Sequence, residues 1–292
     1  MSYAILTDTS ANLPSPILKE SGVGVIPFHY TVEGREMDCL DTERFDGHGY
    51  YDAMRGGVSV STSQINPQAY IDQFAPLLAA GQDILFIGMS SGISGSFQSA
   101  QVALAQLRER YPDRQLMAVD TLGASLGEGI LVLQAIEARA AGVSLDALTR
   151  ELTQTRRRMY QVFMVDDLMF LKKTGRVSGA AALVGTMLQI KPILKGNALG
   201  QIVACAKARG RHKAIEALAK RYDDYVVDAG SQIVGIAHAD CPDDAAHLAG
   251  LLNKNHPPKQ IMTVMYEPVT GSHVGPGTLA LFFLGDDDVR AK

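Results

Sequence analysis

Cysteine is scarce in this chain of 292 residues: Cys39, Cys205 and Cys241 stand far apart, with no C-x-x-C pair and no His/Cys cluster. That excludes a disulfide scaffold or a clustered thiolate metal site, and we expect reduced thiols in a cytosol. No apolar run approaches the ~20 residues of a membrane span. The start of the chain lacks the basic-then-apolar-then-small order of a secretion signal and carries Asp8 where such a signal is apolar. A soluble, cytoplasmic protein without membrane insertion is the expectation. G-x-G-x-x-G and Walker A patterns are both missing, so polar loops here are not ordinary nucleotide fingerprints. Positive charge is not in excess either: a net charge of −4 argues against a general electrostatic grip on nucleic acid or an anionic membrane. Low-complexity linkers and internal repeats are also missing. What remains is a globular composition, 47% hydrophobic and 20% charged, in a chain long enough for two domains.

The stretch around which the chain is organised covers residues 84–100. Ile84-Leu85-Phe86-Ile87 is an unbroken apolar run that suits a strand buried on both faces, and helical spacing follows it. Between them lies a loop of glycines with Ser90, Ser91, Ser94 and Ser96, hydroxyls set beside the free amides of a helix N-terminus. Three roles fit such a loop. It can simply turn the chain and cap the helix. It can present a nucleophile, because Gly88-Met89-Ser90-Ser91-Gly92 matches G-x-S-x-G, with His238 or His273 as base and Asp120 or Asp240 as acid. Or it can bind an anion without covalent chemistry, with Ser94 nearest the helix start.

In chain order, short apolar strands alternate with helices up to about Met159. A strand at 3–6 ends in the polar run Asp8-Thr9-Ser10, and residues 23–30 read as a second strand. Glu33-Gly34 reads as a hairpin turn, while residues 31–57 show weak periodicity, with Asp41, Glu43 and Asp46 as a solvated face without metal spacing. Thr62-Ser63-Gln64 precedes a helix whose cap and first position are Asn66 and Pro67, so Thr62 lies upstream in extended chain and capping explains it poorly. This alternation predicts a mostly parallel, doubly wound α/β domain over residues 1–159. From 160 to 292 paired strands and turn signals predict a smaller α+β domain with an antiparallel sheet covered by helices on one face, including a small-residue helix at 180–189. Met159, Met164, Met169, Met187, Met262 and Met265 are candidates for adaptable cavity lining or for ordinary core.

Six motifs occur in order: Asp8-Thr9-Ser10, Thr62-Ser63-Gln64, Ser90-Ser91-Gly92-Ile93-Ser94-Gly95-Ser96, Leu171-Lys172-Lys173-Thr174-Gly175-Arg176-Val177-Ser178, Lys191-Pro192-Ile193-Leu194 and His273-Val274-Gly275-Pro276-Gly277. Together, over nearly the whole chain, they resemble the DegV family of bacterial fatty-acid-binding proteins. The resemblance implies a long-chain fatty acid in an apolar tunnel between the two domains. It implies no cofactor, no metal and no turnover by the protein itself, although some members present the acid to a separate fatty acid kinase that phosphorylates its carboxylate. By the same resemblance Thr62 and Ser94 donate hydroxyls to the carboxylate and Gly95 adds an amide. His273 stands near the head group, and Arg209, at the mouth, assists phosphoryl transfer in the kinase. The chain departs from the family pattern at Ile65 for proline, Ser96 for threonine, Thr174 for glycine, and Gly210 where a small hydroxyl residue is usual.

Overall fold

The computed structural model describes residues 3–178 and 190–292. The helix expected at 180–189, with Met187, lies outside the described residues. The first half runs β1 (Tyr3–Asp8), α1 (Ser15–Glu20), β2 (Gly24–Ile26), β3 (His29–Val32), β4 (Arg35–Met37), α2 (Gly47–Arg55), β5 (Val60–Ser63) and α3 (Pro67–Ala79). It continues with β6 (Asp83–Gly88), α4 (Ser96–Arg110), β7 (Leu116–Asp120), α5 (Leu126–Ala140) and α6 (Leu145–Arg158). Strands β2-β1-β6-β7, in that order, form an all-parallel sheet. Its central strands show why an unbroken apolar run was needed. Leu6, Ile84 and Phe86 face α3 and α4, whereas Ile5, Leu85 and Ile87 face α5, so every residue of β6 is buried.

The second half adds β8 (Met159–Met164), α7 (Met169–Lys173), β9 (Val177–Ser178), β10 (Ile190–Gly196), β11 (Ile202–Arg209), α8 (Arg211–Tyr225) and β12 (Ile233–His238). It closes with α9 (Pro242–Asn255), β13 (Gln260–Met265), α10 (Pro268–Val274) and β14 (Leu279–Leu284). These strands make one seven-stranded sheet, β13-β12-β14-β8-β10-β11-β9. It is mixed, not antiparallel: β12 and β13 pair in parallel across α9, and β9 lies parallel to β11. The half expected to be smaller thus carries the wider sheet. Helices α8 and α9 cover one face, and α5 packs near the other beside Phe163, Ala237 and Phe282, so the two sheets share a core through α5.

A third, antiparallel sheet, β4-β3-β5, carries Thr62 opposite Tyr30. Residues 23–30 are therefore two strands, β2 and β3. Pro27 lacks the amide that a ladder needs, and the next amide, of Phe28, donates to Thr9 Oγ1 at 3.0 Å instead. The turn at Glu33-Gly34 joins β3 to β4. Helix α2 was not foreseen: Asp46 caps it, its carboxylate accepting from Gly49 N at 3.0 Å, and Tyr51 and Met54 turn inward. Among the described residues no helix is long and apolar enough to cross a membrane.

Candidate functional site

Three loop ends converge where β5, β6 and α10 meet. The start of α3 is fixed by Asn66, whose side chain accepts from Ala69 N at 3.0 Å, so the preceding strand β5 can hold Thr62 extended. Thr62 Oγ1 lies 2.9 Å from His273 Nε2, a ring carried on the last turn of α10. In the serine loop Ser94 Oγ donates to Ser96 Oγ at 3.0 Å and accepts from Ser96 N at 3.2 Å. Ser96 Oγ in turn accepts from Ile65 N at 3.0 Å. The two departures from the family pattern at positions 65 and 96 thus touch each other, and a proline at 65 could not make this bond. Gly95 precedes α4 without a side-chain cap, and a Cβ there would meet Gln64 Oε1, the end of an exposed side chain that would have to swing aside.

These groups open on a cavity of about 190 Å³ between the two larger sheets. Thr62, Ser94, Gly95, His273 and Arg176 supply its polar part; Phe28, Met89, Ile93, Phe163, Ile202 and Phe282 are among its apolar walls. Arg176 is the one charged residue among its described lining residues, and sequence reasoning gave it no role. Its position in the Gly175-Arg176 motif, a cation beside small turn residues, was the available signal. Burial, helped by the Arg176 charge, pushes His273 down to about 4, so the ring is neutral near pH 7 and its buried Nδ1 has no partner among the described residues. Of the two roles open to the methionines, ordinary core holds for four: Met159 and Met164 are fully buried in core clusters, Met262 and Met265 pack against the core, and Met169 is exposed. Among the described lining residues the methionine is Met89, in the central loop.

Beneath the loop lies a buried acid pair. Ser10 Oγ is 2.6 Å from both Asp8 Oδ1 and Glu128 Oε2; Asp8 also accepts from Ser10 N at 2.9 Å and Met89 N at 3.1 Å, and Thr7 Oγ1 donates to Glu128 at 2.8 Å. Asp8-Thr9-Ser10 is therefore a strut under the cavity rather than a set of ligands.

The hydrolase constellation is not assembled. Ser90 is fully buried and donates to Gly200 O at 2.8 Å, where a side chain at Gly200, with φ +73°, would strike Ser90 Oγ. The other partners are dispersed. Asp120 accepts from Ser91 Oγ at 2.6 Å, Asp240 pairs with Arg55 at 2.5 Å, His238 Nδ1 accepts from Cys241 N at 3.3 Å, and His273 meets Thr62. Ser90 pins the loop to the β10–β11 hairpin and has no base. Arg209 is exposed at the end of β11 and is not among the described cavity-lining residues. Seven residues separate it from Ile202, about 23 Å of strand. His48, Asp52 and Asp240 lie close enough to share a cation, but Arg55 already pairs with both carboxylates, at 2.8 and 2.5 Å.

This geometry has close counterparts. The family model described as "Uncharacterised protein, DegV family" matches residues 2–286. A DegV domain-containing protein of Clostridium perfringens is 35% identical over 285 residues, covering 97% of this chain and 98% of that one. A DegV family protein from Thermus thermophilus described by its fatty acid binding superposes with a TM-score of 0.88 at 30% identity, over 98% of this chain and 100% of that one. A fatty acid binding DegV family protein from Streptococcus agalactiae gives 0.86 at 28% identity, over 98% and 99%. On the extent of the family match and of these alignments, the chain belongs to the DegV family.

Proposed function

We propose that this protein binds a long-chain fatty acid in the cavity between its two larger sheets and presents the carboxylate to a separate fatty acid kinase. The observation that carries the reading is the 2.9 Å contact between Thr62 and the neutral ring of His273 in the polar lining of a cavity whose other walls include Phe28, Met89, Ile93, Phe163, Ile202 and Phe282. A hydroxyl has one hydrogen to donate. Thr62 can give it to a carboxylate only if His273 Nε2–H donates to Thr62, so His273 acts as a positioning residue behind the ligand. The Gly95 amide offers a further donor, Ser94 Oγ becomes one when its hydrogen turns from Ser96 to the ligand, and Arg176 supplies the opposing charge. Charge-assisted bonds of this kind contribute about 1.5–3 kcal/mol each. The tail contributes more: burying ~14 methylenes at ~0.8 kcal/mol each gives roughly 11 kcal/mol before ordering costs.

Mass spectrometry of gently extracted protein should find a bound acyl chain. Thr62→Val keeps the shape and removes the donor, so fatty acid affinity should fall by about 1–3 kcal/mol, and Ser94→Ala should behave alike. Binding as tight as the parent's in both variants would refute the head-group assignment. For the kinase step, Arg209 stands on the surface, where a partner's active site can reach it, and a guanidinium there would stabilise charge on the transferring phosphoryl group. Arg209→Ala should keep its lipid while supporting little acyl-phosphate formation with kinase and ATP; equal turnover would sink that role.

A further inference from the structure

One wall of the cavity is a strap of four consecutive residues, Leu122, Gly123, Ala124 and Ser125, between β7 and α5. Two of them are strained: Leu122 has φ +56° and Ser125 φ +54°, conformations that side chains other than glycine rarely adopt and that persist only where the surroundings hold them. The surroundings do. Gln161, buried on β8, donates from Nε2 to Leu122 O at 3.1 Å and accepts from Ala124 N at 3.4 Å. A side chain at Gly123 or at Gly127 would run into Gln161, so the amide is wedged against the strap from below. Arg290, 3% exposed, makes its contacts with carbonyl oxygens: Leu122 O at 2.6 Å, Met159 O at 2.8 Å and Asn197 O at 3.0 Å. No carboxylate pairs with it among the described residues.

A buried cation that satisfies only backbone oxygens is an unusual expense for packing alone. Here its four acceptors belong to the strap, to the first residue of β8, to the β10–β11 turn and, at 3.5 Å, to Arg156 of α6, and Gly196 and Gly200 beside that turn also line the cavity. We infer that Arg290, as a positioning residue, and Gln161, which also lines the cavity itself, fix the 122–125 wall and thereby set which acyl chain lengths the cavity accepts. The inference rests on the cavity holding a fatty acid, as proposed above. A rigid wall discriminates by length because each methylene that loses its place costs about fourfold in affinity, whereas a yielding wall spreads the difference over several lengths.

The test is competition binding of the delipidated full chain with an equimolar series of saturated fatty acids differing by two carbons, read by native mass spectrometry. Gln161→Met and Arg290→Lys should broaden or shift the length profile, while Thr62→Val should weaken every length by one common factor. Folding of each variant is checked by its melting curve, and Gln161→Met serves alone should Arg290→Lys not fold. An unchanged profile in the folded variants, or a uniform loss like that of Thr62→Val, overturns the inference while leaving the fatty acid reading intact. A parent that binds no member of the series overturns both.

Discussion

Ser10 has one hydroxyl hydrogen and two carboxyl oxygens at 2.6 Å, so one of the two acids must bring the proton for its own contact. Asp8 accepts from two backbone amides as well, which favours its anion, and burial raises it only to about 6. Burial, then the Asp8 charge, pushes Glu128 well above its ordinary 4.5, so Glu128 carries the proton at neutral pH. The two acids therefore respond differently to an amide. Glu128→Gln should leave stability in urea at pH 7 within about 1 kcal/mol of the parent or above it, since the amide still donates to Ser10 and accepts from Thr7. Asp8→Asn turns an NH2 toward existing donors and should cost about 1–3 kcal/mol or more. The sign with pH follows: native protein keeps a proton that the unfolded chain releases above about 4.5, so this group's contribution falls as pH rises, and Glu128→Gln should flatten that decline. Equal losses from both amides would show that the proton is not on Glu128. None of this was legible in sequence, where Asp8-Thr9-Ser10 is a polar run at the end of a strand and nothing marks Glu128.

Helix α10 brings His273 to Thr62, and its start depends on Glu267, whose carboxylate accepts from Val269 N and Thr270 N at 2.6 Å each. Burial raises Glu267 to about 7 from its ordinary 4.5 despite those two bonds. Glu267→Ala should lower stability by about 0.5–2 kcal/mol. Its cost should be larger at pH 4.5 than at pH 7, because the native carboxyl holds its proton through that window and the parent loses stability across it. Chemical denaturation at the two pH values checks the order, and a cost that grows toward pH 7 would contradict it. Elements with strong local signals were readable. The strand β6, the Asn66-Pro67 start of α3 and the Glu33-Gly34 hairpin each rest on residues adjacent in sequence. Helix α2 was not, because two glycines dilute its periodicity and its inward residues, Tyr51 and Met54, answer to distant partners such as Tyr266. Thr62 could be singled out because capping failed to explain it, but its bond to a histidine 211 positions away is tertiary information.

At the scale of the whole molecule the cavity takes walls from both larger sheets, so a ligand that fills it should tie them together. Fatty acid at a hundredfold excess over its Kd should stabilise by about 2.7 kcal/mol, raising the melting temperature by roughly 4–5 °C with one sharpened transition. Calorimetry of delipidated and loaded protein would refute this by finding no shift with saturating acid. The shared core around α5 shows why sequence left the methionines' role open between core and cavity: spacing marks a residue as apolar and inward, but not whether it faces a neighbouring helix or an empty space. Arg290 carries a further consequence. It follows all fourteen strands in chain order, yet it fastens a wall laid down at residues 122–125. As the chain leaves the ribosome, the first sheet can form early while its pocket still lacks this strut. If the cavity takes a fatty acid as proposed, selection of its length by the 122–125 wall is complete only once synthesis has passed the last described strand.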